Sequence, residues 1–319
     1  VTVLDLSLER LEEAAKLVHE FVPPTPQHRW PLIEQVLGTE TWLKHENHTP
    51  IGAFKVRGGI VYLHRLMERE RPTGLISATR GNHGQSIASA AQRHGLPVTI
   101  VVPHGNSREK NDAMRAQGAT LVEFGDDFQA SLEHATELSE EHGWHLVPAF
   151  HPDLVEGVAS YPLELFRAVP DLDVVYVPLG LGSGVCATLA VRDALGLSTR
   201  VVGVVSSGAP AYARSWDAGE PVSAPVTTAL ADGMAVRTPH PEAFEIIRSG
   251  VDHLVEVDDQ QVAAAMSLLF TATHNVAEGA GAAALAAAVN ERDDLAGLRV
   301  GAVVSGGNVD QDVFVRTLT

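Results

Sequence analysis

From Leu75 onward, short apolar runs alternate with longer stretches that end in glycine, and this alternation restricts the fold more than any other feature of the chain. Leu75-Ile76-Ser77-Ala78 predicts a strand, residues 82–94 a helix stopped by Gly95, and Val98-Thr99-Ile100-Val101-Val102 a second strand. A helix over residues 108–117 ends at Gly118, and Thr120-Leu121-Val122-Glu123 follows as a strand. A second series begins at Val174-Val175-Tyr176-Val177, continues with a helix after Gly184, and has further strands at 201–205 and 300–304. Strand and helix in strict succession make parallel sheets covered by helices, so the fold class is α/β. Two such series imply two sheets and two lobes. Ahead of them, Leu11, Ala14, Ala15 and Val18 mark a helix over residues 9–20 that Pro23-Pro24 stops, and a loop through Pro50 leads to a helix carrying Lys55. The alanine run at 280–288 reads as a tightly packed helix.

Composition sets limits on function. With 319 residues the chain exceeds the roughly 250–300 at which single cores stop growing, in agreement with two lobes. Hydrophobic residues make up 45% and charged ones 20%, as in an ordinary globular protein. Forty acidic against 23 basic residues give a formal net charge of -17, which disfavours nucleic-acid and anionic-membrane partners. The single Cys186 cannot form an internal disulfide, so a cytoplasmic location is expected. Val1-Thr2-Val3-Leu4-Asp5-Leu6 lacks a basic segment followed by an apolar run, and no apolar stretch is long enough to span a bilayer.

The lysines are few: Lys16, Lys44, Lys55 and Lys110. In a chain that uses arginine for nearly every cation, Lys55 between Phe54 and Val56 points to an amine that can lose its proton, because apolar surroundings lower a lysine pKa. A lysine with a buried stem and a solvated ammonium is the competing reading. The segment Gly180-Leu181-Gly182-Ser183-Gly184 follows a strand and precedes a helix, so backbone N–H groups and a helix N-terminus converge there, a cradle for a phosphate without any basic side chain. Val185 stands where a dinucleotide fingerprint needs glycine, and no lysine completes a Walker pattern. A plain strand-to-helix turn is the alternative. Ser305 comes directly after a strand, at the end of a sheet where α/β folds place ligands. His45 with His48, and His145 with His151, have no cysteine or carboxylate completing a ligand set, so no metal site is expected.

Four segments in order carry a resemblance: the Lys55 segment Gly52-Ala53-Phe54-Lys55-Val56-Arg57-Gly58-Gly59, then Thr79-Arg80-Gly81-Asn82-His83-Gly84-Gln85, the glycine segment, and Ser305-Gly306-Gly307-Asn308. The chain resembles the serine/threonine dehydratases and serine racemases, fold-type II pyridoxal-phosphate enzymes of the tryptophan synthase β kind. The resemblance implies pyridoxal 5'-phosphate as cofactor, bound as a Schiff base on Lys55 between a smaller lobe of residues 74–147 and a larger lobe of residues 1–73 and 148–319. It implies that Phe54 lies beside the cofactor ring, Asn82 meets the phenolic oxygen, and Gly180, Leu181, Gly182, Ser183 and Gly184 grip the phosphate. Ser305 would face the ring nitrogen, Glu278 would lie close to the cofactor, and Asp232 near the site's mouth. Thr79, Arg80 and His83 would belong to the substrate-carboxylate site. The implied reaction is α,β-elimination of water from threonine, serine, 3-hydroxyaspartate or 3-phenylserine, giving a 2-oxo acid and ammonia, in a cytoplasmic homodimer. Amino-acid racemisation and cofactor binding without turnover are the alternatives; a cysteine-synthase type of β-replacement would have threonine where His83 stands. With the sequence ending at Thr319, shortly after Asn308, no C-terminal effector domain and no feedback inhibition by isoleucine are expected.

Two positions depart from the resembled pattern. Where many relatives bind a divalent cation through acidic residues after the strand at 201–205, this chain has Ser206-Ser207-Gly208-Ala209-Pro210-Ala211-Tyr212. Where racemases have a serine that protonates the far face of the carbanion, it has Arg80, which is too basic for that role. Arg80 is left either to bind a second anionic group of the substrate or to pair with an acid on the protein surface. Hard cations need carboxylate oxygens, so chelation should leave activity nearly unchanged; a large loss on EDTA treatment, restored by magnesium or calcium, would reveal another cation site.

Overall fold

The computed structural model describes residues 6–318. Its strands are β1 (Gln27–Arg29), β2 (Thr41–His45), β3 (Leu75–Ala78), β4 (Val98–Val102), β5 (Thr120–Glu123), β6 (His145–Leu146), β7 (Val174–Pro178), β8 (Arg200–Ser206), β9 (His253–Val257) and β10 (Val300–Val304). They form a six-stranded sheet in the order β1-β2-β10-β7-β8-β9 and a four-stranded sheet in the order β5-β4-β3-β6. Only β1 is antiparallel to its neighbour; β10 runs parallel to β2 from Val300 opposite Thr41 to Val304 opposite His45, and parallel to β7 on its other side. The four-stranded sheet is drawn from residues 75–146 and the six-stranded one from residues on both sides of it in the chain. Residues 1–5 and 319, which the expected lobe boundaries include, lie outside the described residues.

The predicted strands at 75–78, 98–102, 120–123 and 300–304 have the observed limits, because each is an apolar run closed by a turn or a polar residue. β3, β4 and β10 are buried along their whole length, as parallel strands covered on both faces require. The sequence pattern did not reveal β1, β2, β6 or β9, nor the helix Phe128–His142. β6 has only two residues, and the helix buries only Ser131 and Ala135, so its periodic signal is weak. In β2, Lys44 and His45 interrupt the apolar run, yet neither is exposed. The alanine run is part of the helix Gly279–Asn290, whose residues 279–288 are all buried.

Lys55 is the first residue of the helix Lys55–Arg69, which packs against the helices Asn82–Arg93 and Pro152–Val158. Glycines permit the close approach. A Cβ on Gly59 would lie 2.3 Å from Ser86 Oγ, and one on Gly157 2.3 Å from the carbonyl oxygen of Arg57. A glycine inside a helix costs about 1 kcal/mol relative to alanine, and here the contact between helix backbones offsets that cost.

A buried ionic cluster fastens the same helix. Arg57 Nε donates to Glu46 Oε2 at 2.7 Å and Arg57 Nη1 to Glu164 Oε1 at 2.6 Å, while Lys44 Nζ donates to Glu164 Oε2 at 2.5 Å. Thr25 Oγ1, Ser160 Oγ and His19 Nε2 are further partners. Burial works against the charges of Arg57, Lys44 and Glu164, but Arg57 and Lys44 together hold the Glu164 carboxyl below its ordinary pKa. No described helix is long and apolar enough to cross a membrane. Arg57→Met should destabilise the protein by about 3–5 kcal/mol, because it leaves the buried Glu46 carboxylate without its cation, while Glu164 keeps Lys44. The urea midpoint measures this; a loss under about 1 kcal/mol would mean that Glu46 finds another partner.

Candidate active site

The carboxyl ends of β3, β7 and β10 open onto one cavity of about 850 Å³. The Thr79-to-His83 turn follows β3, the glycine segment follows β7, and Ser305 follows β10. These segments line the cavity together with Phe54, Lys55 and Glu278, so it contains every site residue expected from the sequence.

Main-chain bonds set the position of Lys55. The N–H of Phe54 donates to the carbonyl of Ser305 at 3.1 Å, and that of Gly307 to the carbonyl of Gly52 at 2.8 Å, with a bridge between Ala53 and Gly306. The start of the lysine helix is thereby tied to the turn after β10, with Ser86 Oγ donating to the Lys55 carbonyl at 2.6 Å. Lys55 Nζ lies 3.0 Å from Ser183 Oγ and 5.1 Å from the centre of the Phe54 ring. Desolvation lowers its pKa to about 8. The residues responsible differ in part from those expected: Phe54 lines the cavity, but Val56 is turned into a cluster with Ala14, Val18 and Ile60 on the other side of the helix.

At the glycine segment the helix Ser183–Ala194 begins without a side-chain cap. Gly182 has φ +111°, and a Cβ there would lie 2.9 Å from that of Ala243, so the turn demands glycine. Two carbonyls of the segment are already bound: Leu181 O accepts from Tyr212 Oη at 2.9 Å, and Gly184 O from Thr188 Oγ1 at 2.9 Å. What remains unpartnered is the set of first N–H groups of the helix, which have no acceptor within it. A Cβ on Gly184 would have no neighbour nearer than 3.4 Å.

Across the cavity, Asn82 starts the helix Asn82–Arg93, which also lacks a side-chain cap. Asn82 Nδ2 donates to Glu278 Oε1 at 2.5 Å and its Oδ1 accepts from Asn308 Nδ2 at 2.9 Å, which fixes the orientation of the amide. Glu278 also accepts from Lys110 Nζ at 3.1 Å, and Lys110 reaches Asp232 at 2.7 Å. Burial pushes the Glu278 carboxyl up, against the pull of Lys110. Burial likewise opposes the charge of Lys110, but Glu278 and Asp232 hold the ammonium well above its ordinary pKa. Sequence reasoning missed Lys110 as a cavity residue; its one signal was lysine in a chain rich in arginine. Thr79 Oγ1 accepts the N–H of Gly81 at 3.1 Å. Arg80 is exposed into the cavity and forms no surface ion pair with a described residue. Ser305 is buried, and its carbonyl is the acceptor for Phe54.

An uncapped glycine-shaped helix start beside a desolvated lysine defines a particular kind of site, and comparison with known proteins matches it to one family. Residues 18–306 match the family described as pyridoxal-phosphate dependent enzyme. The chain belongs to that family. It is 33% identical over 98% of its length to the L-threonine ammonia-lyase of Thermotoga maritima, covering 78% of that protein. To the L-threo-3-hydroxyaspartate ammonia-lyase of Saccharomyces cerevisiae it is 30% identical over 96% of its length, covering 94% of that protein. Among solved structures, maize serine racemase superposes with a TM-score of 0.91 at 25% identity, covering 98% of this chain and 97% of that one. The family cofactor is pyridoxal phosphate, and the cavity fits it: unpartnered N–H groups for an anion, a glycine-shaped turn at Gly182, and an amine within reach of the same helix start.

After β8, the stretch from Ser206 to Tyr212 brings no carboxylate. Among the described residues no group of three or more histidine, cysteine or acidic side chains is arranged to hold a metal ion. His45 and His48 instead stack at 5.0 Å, and Trp30 Nε1 donates to His45 Nε2 at 3.0 Å.

His83 lines the cavity and its Nε2 has no partner among the described residues. Burial, reinforced by the nearby Lys55, lowers its pKa to about 3 from 6.5. The folded state therefore binds fewer protons than the unfolded one below pH 6.5; the contribution is complete above that pH and is lost progressively toward pH 3. His83→Asn should flatten part of the fall in denaturation midpoint between pH 6.5 and 4. Parallel curves for variant and parent would show that folding does not shift the pKa of His83.

Proposed function

We propose that the protein is an ammonia-lyase that removes water from a β-hydroxy amino acid by α,β-elimination, with Lys55 as the catalytic base and cofactor anchor. The supporting observation is the Lys55 amine, desolvated to a pKa of about 8 and 3.0 Å from Ser183 at the start of an uncapped helix. Bound pyridoxal phosphate supplies an electron sink for charge developing at Cα. The first N–H groups after Gly182 would hold its phosphate, and Ser183 keeps the lysine amine directed toward that end of the cavity. Asn82, its amide oriented by Glu278 and Asn308, would hold the phenolic oxygen, and Phe54 would lie beside the ring. Ser305 would offer a hydroxyl to the ring nitrogen, a weaker stabiliser than a carboxylate and one suited to rapid loss of a leaving group.

Thr79, His83 and the start of the helix Asn82–Arg93 receive the substrate carboxylate. Lys55 takes the proton from Cα, the Cβ–O bond breaks, and the leaving hydroxide takes up the proton that Lys55 carries and departs as water. The released enamine tautomerises and is hydrolysed to a 2-oxo acid and ammonia. A base with a pKa near 8 is partly neutral at physiological pH, so it can both accept and return the proton. Racemisation needs a second proton shuttle, and a guanidinium at position 80 does not provide one. Serine is among the substrates this reading admits. It includes residues 74–147 as a smaller lobe within a larger one of residues 1–73 and 148–319, and a cytoplasmic homodimer; the one cysteine, buried and unpaired, supports the location, and the resemblance alone supports the dimer.

Borohydride treatment of the holoenzyme followed by peptide mapping should find the cofactor fixed to Lys55, and Lys55→Ala should keep the fold while losing ammonia release by several orders of magnitude. Capture of cofactor by the apoprotein should quicken as pH rises to about 8 and level off above it, because only the neutral amine is a nucleophile. Attachment at Lys110 would refute the assignment; cofactor on Lys55 without turnover of any β-hydroxy amino acid would leave a binding protein.

A further inference from the structure

The cations lining the cavity differ in what neutralises them. Lys110 is matched by Asp232 and Glu278, and Arg237 Nη1 lies 3.7 Å from Asp127. Lys55 is desolvated, and His83 is held neutral by burial. Arg80 alone among these arginines and lysines has no hydrogen bond or ion pair with any described residue, in a chain with 40 acidic side chains. Its backbone is nonetheless fixed, since β3 ends just before it, the Gly81 N–H is bound to Thr79 Oγ1, and a Cβ on Gly81 would lie 2.6 Å from Lys110 Cδ. A rigid turn thus holds an uncompensated guanidinium at the wall of the cavity.

Directly after Arg80 the helix Asn82–Arg93 starts uncapped, and its first N–H groups are a receptor for one carboxylate. The segment from Arg80 to His83 therefore contains two separate anion receptors. A substrate with only an α-carboxylate uses one of them. We propose that Arg80 is the subsite for a second carboxylate, carried on Cβ, so that the enzyme prefers a β-hydroxy dicarboxylic amino acid of the 3-hydroxyaspartate class. This rests on the lyase reading above. A planar guanidinium binds a carboxylate through two parallel N–H···O bonds. A phosphate dianion fits less well, because Asp126 and Asp127 line the same cavity. With a net charge of -17 the chain repels anionic substrates at long range, so selection must come from a local contact of this kind.

The test measures ammonia release by the holoenzyme from the stereoisomers of 3-hydroxyaspartate and of threonine, for the parent and Arg80→Gln. The parent should favour its best 3-hydroxyaspartate isomer over its best threonine isomer by about ten- to a hundredfold in kcat/KM, the worth of a charge-assisted hydrogen-bonded pair. Arg80→Gln should reduce that ratio by about the same factor, and Arg80→Lys by less. Succinate should inhibit the parent competitively far better than butyrate, and the variant should lose that difference. Equal losses on both substrates, or a parent enzyme that prefers threonine or 3-phenylserine, would overturn the subsite. If no β-hydroxy amino acid released ammonia, the lyase reading would fail; a difference between succinate and butyrate in thermal stabilisation, lost in Arg80→Gln, would still detect the anion subsite.

Discussion

The structure depends on the buried charges around Arg57. A guanidinium, an ammonium and two carboxylates with almost no access to water are tolerable only when each is paired and its remaining hydrogen bonds are filled. Satisfying them requires β2, the turn after it, the lysine helix and the helix Ser160–Ala168 to meet at one place. Lys55 lies two residues before Arg57, so the arrangement that satisfies the cluster also determines where the lysine helix begins. Its start is then held from the other side by the bond from Phe54 to Ser305. The amine stands where it does because the chain is fixed at both ends of the four-residue segment from Phe54 to Arg57.

The cavity is equally a product of topology. Parallel strands deliver their carboxyl ends to one edge, and β7 and β10 are neighbours in the larger sheet, so the glycine turn and Ser305 arrive side by side. The third segment comes from β3 in the other sheet, and the network of Lys110, Glu278, Asp232 and Asn82 joins the two sides. Each member satisfies another's charge or amide. Asn82 is therefore oriented before any ligand arrives, an arrangement that reduces the ordering cost of binding.

Much of this was legible in the chain because the relevant signals are local. Four strands were located to the residue by apolar runs with clear ends. The helix after β7 and the uncapped turn before it follow from glycine spacing, and the apolar Phe54 next to a rare lysine already indicated a lowered pKa. Less was legible where the stabilising partner is distant. β2 hid behind Lys44 and His45, whose burial depends on Glu164 and Trp30. Val56 looked like part of the lysine's surroundings, but helical geometry turns adjacent residues about 100° apart, and it packs elsewhere.

The sequence by itself determined the α/β class, the order of the elements, and the residue types able to bind a phosphate and provide a neutral amine, since all of these rest on periodicity, turn chemistry and side-chain identity. Tertiary structure alone decided which charges are cancelled. Neither Lys110 nor Arg80 shows its partner in the chain; folding brings Lys110 to carboxylates 122 and 168 residues away and leaves Arg80 with none among the described residues. Pairing energies depend on distance and local dielectric, and both exist only once the strand ends of the two sheets meet at the cavity.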